Sequence, residues 1–255
     1  MKPKDFPILE FDPAKRAVIE PTEQIDPSLV PEHCVPCFFA DVISELVESG
    51  RAKEAACMKS EMGRHPLLVM EVDGREVAVY QPGISAAFAA AMLDEVIAHG
   101  CRKFIACGAA GVLDGNIDVG HVIVPLAAVR DEGASYHYMP PSREVESSPE
   151  GVAAIEKVLT SHGRDYTVGK TWTTDGIYRE TPDKVALRRS EGCITVEMES
   201  AAFFAVARFR GVTFAQMLYG GDDVSGEEWD RREWPKRRTA REDLLWLAAE
   251  ACLLL

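Results

Sequence analysis

Two acidic residues separated by one methionine, Glu197-Met198-Glu199, stand directly before a long run of small and apolar residues. Two carboxylates so close together could act on one substrate, because an ionised carboxylate accepts hydrogen bonds and stabilises a positive charge that develops beside it. A structural role is the alternative, since acidic residues in the first turn of a helix complement the positive end of the helix dipole. The sequence therefore predicts a candidate site here and leaves both roles open.

The elements on either side place the two glutamates at a strand-to-helix junction. Residues 194–196 favour a strand, whereas residues 201–209 have the length and the apolar faces of a buried helix. If Glu197 and Glu199 are extended, their side chains share one face; if both are helical, they diverge by roughly 200°. The sequence does not distinguish these two conformations.

A second pair of carboxyl groups, Asp222-Asp223, follows two glycines and a strand predicted over residues 213–219. A carboxyl group donates a proton near pH 7 only when burial or a like charge raises its pKa. Asp223 could supply such a charge to Asp222. The alternative is an ordinary turn, in which Gly and Asp are common.

A third candidate region consists of glycines that follow predicted strands. Gly83 lies between a hairpin predicted over residues 67–80 and an Ala-rich helix that ends near His99, and residues 108–111 follow a strand over residues 101–107. Strand, helix and strand in this order form a parallel crossover unit, whose ligands bind beyond the carboxyl ends of the strands. Glycine there lets backbone N–H groups approach an anion or a sugar, although turn formation alone also explains it.

Four stretches, taken together, resemble the uridine and purine nucleoside phosphorylases and the related nucleosidases. They occur in the order and at the spacing of that family, over roughly residues 80 to 225. The stretches are residues 196–202 (VEMESAA), residues 108–113 (GAAGVL) with residues 117–124, residues 130–137 (RDEGASYH) and residues 173–178 (TTDGIY).

This resemblance implies both a fold and an activity. The fold is a single-domain, three-layer α/β structure with a central mixed β-sheet flanked by helices. Relatives complete their sites across subunits, which implies a homo-oligomer, whether a dimer, a trimer or a hexamer. The activity is cleavage of the N-glycosidic bond of a nucleoside, with inorganic phosphate as co-substrate and nucleophile, with no other cofactor and with no metal.

The resemblance also implies roles for the matched residues, with Glu199 and Asp222 as the catalytic pair. The Glu199 carboxylate accepts hydrogen bonds from the 2′- and 3′-hydroxyls of the ribose, which Glu197 and Met198 also contact. Asp222 protonates the departing base, and this favours a purine, because residues 179–181 do not reproduce the pattern of the pyrimidine enzymes. The base is bound by Ile177, Tyr178 and Asp222.

The nucleophile region implied by the resemblance lacks the arginines that hold phosphate in phosphorylases. The stretch assigned to the first arginine, residues 31–35 (PEHCV), has none, and the second position is Ala106. Arg64, in the predicted loop before the hairpin, could enter the site of a neighbouring subunit, and His33 or His65 could substitute, although each is expected at the surface. The region comprises Gly83, Gly108, Ala109 and Arg64.

Two alternatives to phosphorolysis therefore stay open. Water could be the nucleophile, as in the nucleosidases of the family, with Glu32 or Asp41 as the base. The chain could also be a nucleoside-binding protein that keeps the fold and lacks turnover.

The composition is that of a cytoplasmic α/β protein. The chain has 255 residues, 47% of them hydrophobic, and a net charge of −13, which disfavours binding to nucleic acid. No apolar run is long enough to span a membrane, no signal peptide opens the chain, and seven cysteines fit a reducing compartment. Cys34 and Cys37 alone lack two of the four ligands that a structural zinc needs.

The chain is predicted to divide into an N-terminal arm and one α/β domain. Residues 1–30 are rich in Pro, Asp and Glu and show little periodicity, which predicts an extended arm that could cover a neighbouring subunit. Residues 31–255 form the domain. It is predicted to hold a strand at residues 34–39, helices at residues 41–48, 150–161, 182–190 and 241–255, and strands at residues 117–124 and 167–174.

Overall fold

A computed structural model describes residues 2–25, 30–233 and 238–255. These residues contain ten β-strands in one mixed sheet, which helices cover. The strands are β1 (His33–Pro36), β2 (Ala52–Ser60), β3 (Gly63–Val72), β4 (Arg75–Tyr80), β5 (Lys103–Val112), β6 (Val122–Asp131), β7 (Glu144–Glu146), β8 (Tyr166–Thr174), β9 (Cys193–Glu197) and β10 (Thr213–Asp223). The helices are α1 (Pro21–Gln24), α2 (Ala40–Glu48), α3 (Ala86–His99), α4 (Ser135–Tyr138), α5 (Pro149–Ser161), α6 (Pro182–Ser190), α7 (Ser200–Arg210) and α8 (Arg238–Cys252). The predicted class, α/β with a central mixed sheet flanked by helices, is confirmed.

Five of the strands close into a ring. Strands β5, β9, β8, β6 and β10 pair in that order, and β10 pairs back with β5. The β5–β10 pairing is parallel and runs from Thr213 opposite Lys103 to Gly220 opposite Ala110. Strands β1, β4, β3 and β2 continue the sheet outward from β5. Strands β5 and β10 therefore end at the same edge of the sheet.

Apolar side chains cover the sheet on both faces. Side chains alternate along β5, so that Phe104 and Ala106 pack with α3 and α7, whereas Ile105 and Cys107 pack with α5 and α8. Strands buried on both faces lack an apolar and polar alternation and appear as continuous apolar runs, as β5 does. Packing on both faces therefore holds β5 and β10 in place up to the residues at which they end.

Most predicted elements are present at the expected places. The hairpin is formed by β3 and β4, and its two-residue turn has positive φ at Asp73 (50°) and Gly74 (74°), the conformation that suits a tight hairpin. The helices α2, α3, α5, α6, α7 and α8 lie within a few residues of their predicted ranges. Thr181 occupies the N-cap of α6, but its side chain makes no capping hydrogen bond.

Several boundaries were predicted wrongly. Residues 108–111 are not a turn. Strand β5 continues to Val112, and Gly111 pairs with Val196 of the neighbouring strand β9. The strand predicted over residues 117–124 begins only at Val122, and the short strand β7 was not predicted. Arg64 lies in β3 and not in a loop, since β2, which was not predicted, pairs with that part of β3.

The N-terminal segment lies along its own chain. Residues 2–25 are mostly irregular, with one short turn of 3-10 helix and the four-residue α1. The Nζ atom of Lys15 donates to the Phe209 carbonyl at 2.9 Å, and the Arg210 guanidinium lies 3.3 Å from the Glu20 carboxylate. The prediction that this arm covers a neighbouring subunit stays a prediction, and part of the predicted arm, residues 26–29, lies outside the described residues.

Within residues 2–25, 30–233 and 238–255, no helix combines the length and the apolar composition needed to cross a lipid bilayer.

Candidate functional site

A cavity of about 320 Å³ opens where β5, β9 and β10 end. Its walls also include the loop after β1, the loop between β4 and α3, the turn after β8 and the beginning of α8. Ligands of parallel sheets bind at such an edge, where consecutive strands end and loops diverge. The cavity is therefore the candidate site.

Seven of the ten residues predicted for the site line this cavity. They are Gly83, Ala109, Ile177, Glu197, Met198, Glu199 and Asp222.

The other three predicted residues lie elsewhere. Gly108 is buried behind Phe38, where an added Cβ atom would lie 3.0 Å from the Phe38 ring. Tyr178, predicted to bind the base, is 93% exposed and does not line the cavity. Arg64 is exposed on β3, where its guanidinium lies 2.6 Å from the Glu54 carboxylate. A role for Tyr178 or Arg64 in the cavity of this chain thus has no support from the geometry.

Glu197 uses both carboxylate oxygens inside the protein. One oxygen accepts from the backbone N–H groups of Glu199 (2.7 Å) and Ser200 (2.6 Å), which open α7, and the other accepts from the Thr173 hydroxyl at 2.6 Å. Burial raises the pKa of the Glu197 carboxyl above its ordinary value, and these hydrogen-bond donors offset only part of that rise. Glu197 therefore holds the beginning of α7 in place, which is the structural alternative considered for the acidic pair.

Glu199 presents its carboxyl group to the cavity. Its backbone is at the N-cap of α7, whereas Glu197 is still in β9, so the two residues adopt neither of the uniform conformations considered from the sequence. The carboxyl group accepts from the Ser85 N–H at 2.7 Å and from the Met198 N–H at 3.3 Å. Burial, and then the neighbouring Glu197 charge, raise the pKa of Glu199 to about 8.

The loop between β4 and α3 is shaped to make that contact. Gly83 has a φ of +77°, and an added Cβ atom would lie 2.2 Å from the Phe88 ring, so only glycine fits without rearrangement. Ser85 has a φ of 100°, a region that residues with a side chain rarely adopt. This strained backbone directs the Ser85 N–H at Glu199, and such strain is common at functional sites.

Asp222 is the penultimate residue of β10 and also lines the cavity. The Trp229 indole N–H donates to its carboxylate at 2.6 Å. Asp223 does not line the cavity; it pairs with Arg232 and accepts from the Ser225 N–H at 2.8 Å, and these contacts lower its pKa. The acidic neighbour of Asp222 in the cavity is Glu180, a residue that sequence reasoning missed.

Gln216 is a buried amide that also lines the cavity and was missed. The Ser200 hydroxyl donates to the Gln216 side-chain oxygen at 2.7 Å. This leaves the amide nitrogen, with its two donors, unpaired among the described residues and available to a ligand. A polar residue inside the otherwise apolar stretch 214–218 was the sequence signal that could have identified it.

Arg241, on α8, is the only Lys, Arg or His side chain among the described residues that line the cavity. Its guanidinium donates to the Asp41 carboxylate at 2.8 Å and lies over the Phe39 ring at 4.9 Å. The Arg241 Nε atom is buried and has no partner in the described residues. Its proximity to the cavity could not be read from the sequence, since 200 positions separate it from Asp41.

The other substitutes considered for the phosphate arginines lie outside the cavity. His33 is buried rather than at the surface, and burial lowers its pKa. His65 stacks edge-on against Phe88. Of the two bases considered for water, Glu32 pairs with Lys103 at 2.7 Å, and Asp41 is engaged by Arg241. Among the described residues, no group of His, Cys, Asp and Glu side chains is arranged to hold a metal ion.

With this geometry established, comparison with known proteins identifies the family. The chain belongs to the phosphorylase superfamily, whose family model matches residues 33–249. It is an enzyme of that superfamily, which confirms the resemblance noted from the sequence motifs.

Two curated relatives illustrate the sequence similarity. A guanosine phosphorylase from Halorubrum lacusprofundi is 27% identical over 188 residues, which cover 66% of this chain and 77% of the relative. A uridine phosphorylase from Escherichia coli is 29% identical over 156 residues, which cover 56% of this chain and 62% of the relative. The substrates in these two names differ, so the matches leave the substrate of this chain unassigned.

Two solved structures share the fold. A uridine phosphorylase from Vibrio fischeri has a TM-score of 0.73 at 23% identity, covering 90% of this chain and 93% of the other. An AMP nucleosidase from Bacteroides thetaiotaomicron has a TM-score of 0.69 at 21% identity, covering 87% of each chain. At these identities the two matches establish the fold alone.

Proposed function

We propose that the protein cleaves the N-glycosidic bond of a nucleoside, with a preference for purines and with phosphate as the nucleophile. The observation that carries the proposal is that one cavity holds a buried, backbone-held carboxyl group at Glu199 and a separate acidic pair at Asp222 and Glu180. The reaction needs one such group for the sugar and another for the base.

Glu199 suits the sugar end. As the glycosidic bond lengthens, the ribose acquires positive charge, which a nearby carboxylate stabilises. A pKa of about 8 keeps much of Glu199 protonated in the empty cavity near neutral pH. Two ribose hydroxyls that donate to the carboxylate, and the developing cation itself, favour its ionised form. Glu199 thus reaches full charge when the sugar is bound and reacting.

Asp222 suits the base end, because a purine leaves more readily when a ring nitrogen is protonated. An acidic pair at that end favours a purine, whose five-membered ring offers a nitrogen with a free lone pair, over uracil, whose second ring nitrogen already carries a hydrogen. Ile177 lines the same region and offers an apolar surface to the base.

Phosphate as nucleophile is supported by donors at the remaining wall of the cavity. Arg241 brings a positive charge to the cavity wall, and the Gln216 amide adds two neutral donors. Charge-assisted hydrogen bonds of this kind are the usual means of binding phosphate. The curated relatives are named as phosphorylases.

Hydrolysis is the second candidate, and a specific observation favours it. The charge of Arg241 is already balanced by Asp41, so the cavity gains little net positive charge for an anion. A neutral water molecule needs no net positive charge in order to bind. One of the structural neighbours is named as a nucleosidase.

The test is base release from inosine, guanosine, adenosine and uridine, each with and without inorganic phosphate. Release that requires phosphate and yields pentose 1-phosphate would establish phosphorolysis. Equal release without phosphate, with free pentose as product, would establish hydrolysis. If a folded sample releases no base under either condition, the proposed function is wrong, and binding of the nucleosides without turnover becomes the next measurement.

We also propose that the protein is a cytoplasmic homo-oligomer. All seven cysteines are free thiols, which suits a reducing compartment. The support for oligomerisation is the family resemblance, and light scattering coupled to gel filtration would test it.

A further inference from the structure

Glu180 is an acidic side chain that faces the cavity without a partner. It follows the 3-10 turn Ile177–Arg179, is half-buried and lines the cavity together with Asp222. Among the described residues, no hydrogen bond and no ion pair engages its carboxyl group. A partly buried carboxyl group that stabilises nothing in the fold is costly to ionise, so its presence at a cavity wall indicates a role toward a ligand.

Glu180 and Asp222 are neighbours but are not equivalent. The Asp222 carboxylate already accepts the Trp229 indole N–H at 2.6 Å. Glu180 has no such donor, and burial, followed by the Asp222 charge, raises its pKa to about 7. The surroundings of Glu180 therefore disfavour its ionised form near neutral pH.

We propose that Glu180 is the group that donates the proton to the departing base, and that Asp222 is its charged, positioning neighbour. This inference rests on the proposed function, and it moves the role of acid from the aspartate that the sequence resemblance indicated to a residue outside the matched motifs. The other charged or titratable side chains that line the cavity are Glu197 and Glu199 from the β9–α7 junction and Arg241 from α8, and Arg179 precedes Glu180 in its own turn.

The proposed step transfers one proton to the base and the pentosyl group to the nucleophile. The electron pair of the bond between C1′ and the base nitrogen moves onto the base, and the Glu180 carboxyl proton moves to a base ring nitrogen. A phosphate oxygen forms the new bond to C1′, and solvent later returns a proton to the Glu180 carboxylate. The products are a neutral base and pentose 1-phosphate; with water as nucleophile the sugar product is free pentose and the water proton goes to solvent.

The test compares Glu180→Gln with the wild type on two substrates. One is the purine nucleoside that the wild type cleaves best; the other is p-nitrophenyl β-D-riboside, whose leaving group departs as an anion and needs no proton. We expect Glu180→Gln to lower kcat on the purine nucleoside by roughly 100-fold or more, the range of general acid catalysis. The loss on the nitrophenyl riboside should be at least about ten times smaller, because that reaction does not use the acid.

The pH profile supplies a second readout. Glu199 must be ionised for both substrates, so its titration cancels in the ratio of kcat/KM for the purine nucleoside to kcat/KM for the nitrophenyl riboside. In the wild type this ratio should fall as pH rises through about 7, where Glu180 loses its proton. This alkaline limb of the ratio should be absent for Glu180→Gln. The matched control is Asp183→Asn, which removes an exposed carboxyl group three positions away in α6 and should match the wild type on both substrates.

Three results would overturn the inference: an unchanged rate for Glu180→Gln on the purine nucleoside, equal losses on both substrates, or survival of the alkaline limb in the variant. Equal losses would show that Glu180 holds the site together and does not transfer a proton. A wild type that cleaves neither substrate would defeat the proposed function itself, which separates that failure from a failure of the assignment of Glu180.

Discussion

Gln216 on β10 lies directly opposite Ala106 on β5, in the parallel register of the strand ring. Side chains at paired positions project to the same face of a sheet, so the Gln216 amide stands beside a single methyl group. In the resemblance noted from the sequence, Ala106 corresponds to a position that is often an arginine in phosphorylases. The ring thus presents a neutral, two-donor amide next to the place where the family resemblance led us to expect a cation.

Replacing Gln216 by Leu should weaken the binding of the nucleophile more than that of the nucleoside. A hydrogen bond to a charged group contributes about 1.5–3 kcal/mol, so the KM for phosphate should rise roughly 10- to 150-fold. Steady-state kinetics with phosphate as the varied substrate would measure it. Met217→Leu, on the other face of β10, is the control. An unchanged KM for phosphate would show that the amide does not contact the nucleophile.

Replacing Glu199 by Ala should remove most activity. Two charge-assisted hydrogen bonds to the ribose are lost, which corresponds to roughly a 10²- to 10⁴-fold lower kcat/KM for the nucleoside. The comparison variant is Glu228→Ala, which removes an exposed carboxylate outside the cavity. Turnover by Glu199→Ala within a few-fold of the wild type would remove Glu199 from the site.

The raised pKa of Glu199 also predicts how stability depends on pH. The pKa rises from 4.5 to about 8 on folding, so between these values the folded protein keeps a proton that the unfolded chain has lost. The Glu199 contribution to the free energy of unfolding must therefore fall as pH increases through this window.

Glu199→Gln, which cannot ionise, should lack that fall. Relative to the wild type, its free energy of unfolding should increase by roughly 3.5 kcal/mol between about pH 5 and pH 8. Urea denaturation at both pH values would measure the difference. A constant difference would mean that the carboxyl group titrates alike in the folded and unfolded states.

Replacing Ser85 by Gly should stabilise the protein relative to Ser85→Ala. At a φ of 100° a Cβ atom is strained, and glycine avoids that strain at some cost in chain entropy. We expect Ser85→Gly to exceed Ser85→Ala by about 1 kcal/mol in the free energy of unfolding. Both variants retain the backbone N–H that contacts Glu199, so both should keep their activity; equal stabilities would refute the strain.

The sequence predicted the location of the acidic pair but not the division of roles between its members. The junction after β9 could be read from a change in periodicity, because strand and helix place apolar residues at different intervals. Which carboxylate caps α7 and which faces the cavity depends on one backbone conformation at Glu199, and residue types do not determine it.

A different cause explains why other residues were misplaced or missed from the sequence. Tyr178 and Glu180 lie in or beside one short turn, and the orientation of that turn decides that the glutamate lines the cavity while the tyrosine faces solvent. Arg241 meets Asp41 only because α8 folds back over the first strands. Local patterns carry little information on contacts between such distant segments.

The position of α8 has a consequence for how the protein is made. Cys252 in α8 donates its thiol hydrogen to the carbonyl of Cys34, 218 positions earlier, and Arg75 donates to the Leu253 carbonyl at 2.8 Å. During synthesis on the ribosome, the face of β1 and β5 that α8 covers stays open until the described strands and helices that precede α8 have all emerged. The nascent chain must therefore keep this apolar surface exposed until α8 is made, and general chaperones that shield such surfaces should increase the yield of active protein.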